Sequence, residues 1–184
     1  EAARRAFGPH DPRLAEKLSP YASMLEYAGK LEEAEEVYRE TLRIRRQTLG
    51  NEHPEYAWTA MNYADHLMRR ERYEEAAQLS REVLVLRGKT LPDSNIIVGT
   101  TMTVLARSLA QLGQPEEADA LLRESLAIRR QHLPEGHWAI SSVESMIGAN
   151  LTLLERYEEA EEILLRSERE LVAARGESAP IIAD

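Results

Sequence analysis

The sequence predicts an all-α chain, an α-solenoid of tandem helical hairpins, and three observations lead there. The triplet Glu-Glu-Ala occurs four times, with its alanine at Ala34, Ala76, Ala118 and Ala160, always 42 residues apart. Within each unit two segments place apolar residues at steps of three and four, and no window alternates with period two for long enough to form a strand. Breakers punctuate the pattern: Gly29-Lys30 and Gly113-Gln114-Pro115 inside units, Gly50-Asn51-Glu52-His53-Pro54 and its relatives between them.

The first helix should begin at Asp11-Pro12, a capping residue followed by a proline at the first helical position. Leu14, Leu18, Tyr21, Ala22 and Leu25 form its apolar stripe, and Pro20 inside that stripe predicts a kink. The second helix opens on Glu32-Glu33-Ala34 and carries its periodicity through Val37, Tyr38, Thr41, Leu42 and Arg45. Later units repeat this plan. Leu25, Leu67, Leu109 and Leu151 stand nine residues before the repeat alanines, and the small residues Ala22, Ala64, Ala106 and Gly148 stand twelve before them. Where small residue faces small residue, two helix axes can approach at the short end of the ~8–10 Å range. One hairpin cannot cover its own apolar face, so neighbours stack. Leu42, Leu84 and Leu126 follow the alanine by eight residues and Leu49, Leu91 and Leu133 by fifteen, whereas the fourth unit has Glu168 and Arg175 there, the irregularity expected of a terminal repeat.

This register sets the organisation. Residues 1–11 read as the end of a preceding repeat and its linker, 12–53, 54–95, 96–137 and 138–179 as four repeats, and 180–184 as the start of a fifth. Gly8 and Pro12, like Gly176 and Pro180, match the linker residues Gly50 and Pro54, so the array is expected to be longer in a parent protein.

Composition excludes several classes of function. Twenty-three basic against 32 acidic residues give a formal charge of −9, which argues against nucleic acid or an anionic bilayer as partner. The absence of cysteine removes disulfides, iron–sulfur clusters and thiol chemistry. Apolar runs of four or five residues and a start lacking an apolar leader predict a soluble, cytoplasmic chain. Five histidines show no i, i+4 pair, so no metal is expected, and no cofactor either. Neither a Gly-x-Ser-x-Gly elbow nor a phosphate loop appears, so no enzyme is expected.

Regular charges have a simpler reading than ligand binding. The eight motif glutamates, Glu32-Glu33 to Glu158-Glu159, could form a cation ladder, but they fall in first helical turns, where they complement the dipole by ~0.3–1 kcal/mol each. Arg45-Arg46, Arg87 and Arg129-Arg130 fall in last turns, where they complement the carbonyl ends. His53 and His137 should fix the turn before the next helix, with Pro54 as its first residue, and Trp138 should pack between repeats.

The run Thr59-Ala60-Met61-Asn62-Tyr63-Ala64, then Tyr73-Glu74-Glu75-Ala76, preceded by Leu49-Gly50-Asn51-Glu52-His53-Pro54, resembles the tetratricopeptide repeat, and the 42-residue period resembles its kinesin-light-chain variety. The likeness covers nearly the whole chain. It departs at Leu18, Ala60, Met102 and Glu144, where that family favours a large aromatic, and Glu144 is the most disruptive of the four for hairpin packing. The resemblance implies a right-handed superhelix whose concave groove holds a peptide or protein partner, as an adaptor or regulatory segment of a larger protein. Similar arrays are attached to bacterial serine/threonine kinases, signalling ATPases and caspase-like proteases.

Carried across by register, the family's groove positions fall on Glu16, Ser19, Ser23, Glu26 and Tyr27 in the first repeat and on Trp58, Met61, Asn62, Asp65, Met68 and Arg69 in the second. They continue through Thr100, Thr103, Arg107 and Gln111 in the third and Ser142, Ser145, Met146, Ala149 and Thr152 in the fourth. Trp58, Met61 and Met68 would supply an apolar platform, Asn62 an amide that bonds a peptide backbone in both senses, and Arg69 with Arg107 a pull on acidic side chains. The alternative is that Trp58 and Met61 pack against neighbouring hairpins. Rival functions are a structural spacer or self-association module stacking through its ends and, second, an enzyme assembled from scattered groove residues.

Overall fold

A computed structural model describes residues 5–90 and 96–178, with side chains described except at 87–90 and 175–178. The expectations resting on the Arg87 and Arg175 side chains, Leu91 and 180–184 lie outside what it describes; Gly176, expected in a linker, lies instead within the last helix, which runs on to Ser178. Among the described residues eight long helices follow one another: α1 Pro12–Tyr27, α2 Leu31–Thr48, α3 Pro54–Arg69, α4 Tyr73–Thr90, α5 Ile96–Gln111, α6 Pro115–His132, α7 Trp138–Leu153 and α8 Tyr157–Ser178. No strand occurs among the described residues. The chain divides into two compact units, Glu1–Asp93 and Ser94–Asp184. In the first, α1 pairs with α2, α3 with α4, and α3 packs on α2. In the second, α5 pairs with α6, α7 with α8, and α7 packs on α6.

The same turn closes all four hairpins. The carbonyls of Leu25, Leu67, Leu109 and Leu151 accept from the N–H groups of Lys30, Arg72, Gln114 and Arg156, five residues on, at 2.9–3.0 Å. This is the long bond of a Schellman-type C-cap, which needs a left-handed residue in the turn. Gly29 (φ 71°) and Gly113 (φ 74°) fill that role, and Glu71 (φ 59°) and Glu155 (φ 58°) adopt it without glycine's freedom. The next helix starts without a side-chain cap at Lys30 and Gln114. Glutamates occupy its first turn instead, and Lys30–Glu33, Arg72–Glu75 and Arg156–Glu159 add i, i+3 ion pairs across it.

The hairpin-opening helices α1, α3 and α7 are capped from side chains. Asp11 accepts from the Arg13 N–H at 2.9 Å, with Pro12 as first helical residue. The Nδ1 atoms of His53 and His137 accept from the N–H groups of Glu55 (3.2 Å) and Ala139 (3.1 Å), so both histidines are caps. His53→Ala should cost about 0.5–2 kcal/mol while His53→Asn keeps the cap, a contrast read from denaturation midpoints. α1 runs without interruption through Pro20. Trp138, expected between repeats, is instead 60% exposed, its ring 5.7 Å from that of His137.

Small residues let the helices close up. Ala22, Ala64, Ala106, Ala34, Ala76 and Ala118 are fully buried, and Ala160 nearly so. At Gly148 a Cβ would stand 2.6 Å from Leu164 Cγ and 3.4 Å from the Ala160 carbonyl oxygen, so α7 and α8 meet there with no room for a methyl group. The core of the first unit runs from Leu14 and Leu18 through Ala22, Val37, Tyr38 and Ile44 to Tyr63, Leu67 and Met68.

Candidate functional site

On α1, Ser23, Glu26 and Tyr27 follow the i, i+3, i+4 rule that puts side chains on one helical face, and Asn62, Asp65 and Arg69 do the same on α3. These six residues, with Tyr38 of α2, enclose a cavity of about 200 Å³ in the first unit. Among the described residues nothing hydrogen-bonds the Asn62 amide, which stays available with two donors and an acceptor. Asp65 holds the Arg69 guanidinium in a close i, i+4 ion pair. Burial alone would lower the Arg69 pKa, but the Asp65 charge and hydrogen bond outweigh it and raise the value.

A buried polar network carries the cavity floor. The Tyr38 hydroxyl donates to Glu26 Oε2 at 2.9 Å, and Glu26 Oε1 lies 2.8 Å from His66 Nδ1. Burial, then the Glu26 charge and hydrogen bond, push the Tyr38 pKa upward, so its phenol remains a donor. The Tyr38 ring lies 5.8 Å from that of Tyr63 and 5.5 Å from that of His66. Behind it the Tyr63 hydroxyl accepts from Arg39 Nε (3.0 Å) and donates to Glu35 Oε1 (3.3 Å). Glu35 is buried yet pairs with Arg39 at 2.6 Å and Arg72 at 2.5 Å. Its burial would raise the pKa, but the Arg72 hydrogen bond and the two arginine charges hold the carboxyl below its usual range.

Arg45 does more than complement a helix end. Buried in α2, it donates to the Glu55 carbonyl at 2.8 Å and to the Thr59 hydroxyl of α3, and it pairs with the Glu55 carboxylate at 3.1 Å. It thereby joins two consecutive hairpins.

The structure separates the groove candidates. Trp58 is 47% exposed on α3, one turn before Asn62. Met61 and Met68 are 5% and 6% exposed, so the apolar platform expected of them is absent: both face inward, Met68 within the core of the first unit. Arg69 is occupied by Asp65 rather than offering an unshared charge. In the second unit Thr103 is buried, donating to the Gly99 carbonyl at 3.0 Å and lying 2.9 Å from Ser125 Oγ, so it joins α5 to α6 rather than lining a groove. Ser145 borders a cavity of about 410 Å³ against α8, Ala149 is exposed and Arg107 half-buried.

Glu144, the departure expected to disturb the fourth hairpin, is accommodated by charge. It is 2% exposed, and its Oε1 accepts from Arg130 of α6 at 2.6 Å and Arg166 of α8 at 3.2 Å. Arg166 stands in register with Glu40, Glu82 and Glu124, so acid and base departed from the repeat together. That paired departure was the available signal. The network residues Glu35, Tyr63 and His66 gave a weaker one, polar groups on an otherwise apolar stripe. Among the described residues no cluster of His, Asp and Glu is placed to hold a metal ion, and no helix is long and apolar enough to cross a membrane.

The profile of the tetratricopeptide repeat family matches residues 13–89 and 59–131. No curated protein sequence matches the chain significantly. Among solved structures, a kinesin light chain of Podosopora anserina with nearly identical TPR-like repeats superposes with a TM-score of 0.72 at 22% identity, over 92% of this chain and 81% of that one. BtubC (BKLC) from P. vanneervenii gives 0.77 at 23% identity over 95% and 72%. MamA from Desulfovibrio magneticus RS-1 gives 0.64 at 13% over 90% and 77%. At these identities the likeness is one of fold, and it is the fold of helical hairpins repeating through the chain. With the family profile covering more than half of its length, this chain belongs to the tetratricopeptide repeat family.

Proposed function

We propose that the chain is a non-enzymatic protein-interaction scaffold, and that the α1–α3 face of its first unit holds an extended segment of a partner protein. The unengaged Asn62 amide beside the cavity carries this reading, because an amide there can donate to and accept from a peptide backbone at once. The exposed Trp58 ring, one turn away on the same helix, supports it as an apolar anchor. Asp65 and Arg69, already paired, orient polar side chains of the partner rather than attracting one sign of charge. Met61 and Met68 act from beneath by fixing the position of α3.

Asn62→Ala removes the amide without touching the core. Loss of a bidentate backbone contact worth about 1.5 kcal/mol should weaken partner retention roughly tenfold. The comparison is the set of proteins held by wild-type and variant chains from native cell extract, with helicity matched by circular dichroism. Equal retention of every partner would contradict the assignment.

A further inference from the structure

The first unit holds a second cavity, of about 500 Å³, that the proposed function does not use. Arg46 from the last turn of α2, Asn51 from the linker, Tyr56 of α3 and Arg81, Glu82, Val85 and Leu86 of α4 line it. Two periods later the same register builds a cavity of about 390 Å³ in the second unit, but the charges there are used differently. Arg130, the counterpart of Arg46, donates to Glu144 Oε1 at 2.6 Å. In the first unit the place of Glu144 is taken by the buried Ala60, that of Arg166 by Glu82 and that of Glu170 by Leu86. The arginine is kept and its carboxylate is gone.

Among the described residues no hydrogen bond or ion pair engages the Arg46 guanidinium, the Asn51 amide or the Tyr56 hydroxyl, so three donor-bearing side chains line one cavity without an acceptor. α4 supplies the apolar part of the wall. Val85 stands in register with Arg43, Ala127 and Arg169, all at exposed positions, and is itself 64% exposed. A solvent-facing position that is charged in two other repeats thus carries a branched apolar side chain beside the half-buried Leu86. With two arginines against one glutamate the wall is basic, in a chain whose formal charge is −9. Its volume falls in the range of small-molecule sites, about 300–1,000 Å³. A ligand with one carboxylate and an apolar body answers both parts of the wall. An ammonium would meet two guanidiniums, and a hydrocarbon alone would bury donors with nothing to accept from them.

We propose that this cavity binds a small monocarboxylic acid with an apolar body. Arg46 takes the carboxylate as Arg130 takes Glu144, the Tyr56 hydroxyl and Asn51 amide complete its hydrogen bonding, and the apolar body lies on Val85 and Leu86.

Titration of hydrocinnamate into the whole chain, followed through backbone amide chemical shifts, tests the assignment. Hydrocinnamyl alcohol and phenethylammonium keep the apolar body and change the head group. Saturable shifts should concentrate at Asn51, Tyr56 and Val85 with the carboxylate, and both companions should bind at least about tenfold more weakly. Arg46 and Val85 are exposed, so changing them leaves the fold intact. Arg46→Gln should weaken binding about tenfold, Val85→Glu should abolish it by adding a like charge, and Arg43→Gln, outside the cavity, should leave it unchanged. No saturable shift with hydrocinnamate, equal binding of the alcohol, or an Arg46→Gln chain that binds like the wild type would overturn the proposal. Tighter binding of a capped leucyl-glutamyl dipeptide than of the free acid would overturn the assignment to a small molecule.

Discussion

Replacing Tyr38 by alanine should lower the stability of the first unit by about 3–5 kcal/mol, the range for truncating a buried aromatic. Three contributions are lost together. The ring fills the core between the first two hairpins against Tyr63 and His66, its hydroxyl is one of two groups satisfying the Glu26 carboxylate, and its position on α2 supports the cavity floor. Tyr38→Phe separates them: packing survives, Glu26 loses one donor, and the cost should fall to about 1–3 kcal/mol. Each unit carries one tryptophan, Trp58 in the first and Trp138 in the second, so urea unfolding followed by fluorescence in a Trp138→Phe background reports the first unit. A Tyr38→Ala loss below about 1 kcal/mol would show that the two hairpins do not depend on this contact.

The double change Arg130→Ala, Arg166→Ala should be comparably severe in the second unit, by about 3–5 kcal/mol, because it strands the buried Glu144 carboxylate without a cation. The reverse change should be mild. Both arginines are about half exposed and can return to water when Glu144 becomes Leu, the residue found in register at Leu18. Adding Glu144→Leu to the arginine double variant should therefore recover most of the loss. Unfolding monitored through Trp138 gives all three values. A triple variant no more stable than the double would mean that the arginines act by packing and not by charge.

Local rules made much of the fold legible. Helix starts at Asp11-Pro12 and His53-Pro54, turns at Gly29 and Gly113, and the small residues between paired helices depend on neighbours close in sequence or one period away. Burial across hairpins was less legible. Met61 and Met68 occupy groove register, yet their side chains turn inward, and nothing within α3 itself decides between the two directions. Asn62, Asp65 and Arg69 meet Ser23, Glu26 and Tyr27 because both sets obey one repeat register. Tyr38 completes the cavity from a helix read only as core. The polar core was hardest to see: His66 finds Glu26 forty residues away, Glu35 finds Arg72 thirty-seven away, and Glu144 needs arginines from two other helices. A polar residue on an apolar stripe signals such a network, but the stripe does not name its partner.

Backbone amide chemical shifts, followed by NMR while a peptide from a captured partner is titrated into the whole chain, test the interaction face most directly. Changes should concentrate at Ser23, Glu26, Tyr27, Asn62, Asp65 and Arg69, and weaken in Asn62→Ala. Changes confined to α2 and α4, or to the second unit alone, would contradict the account.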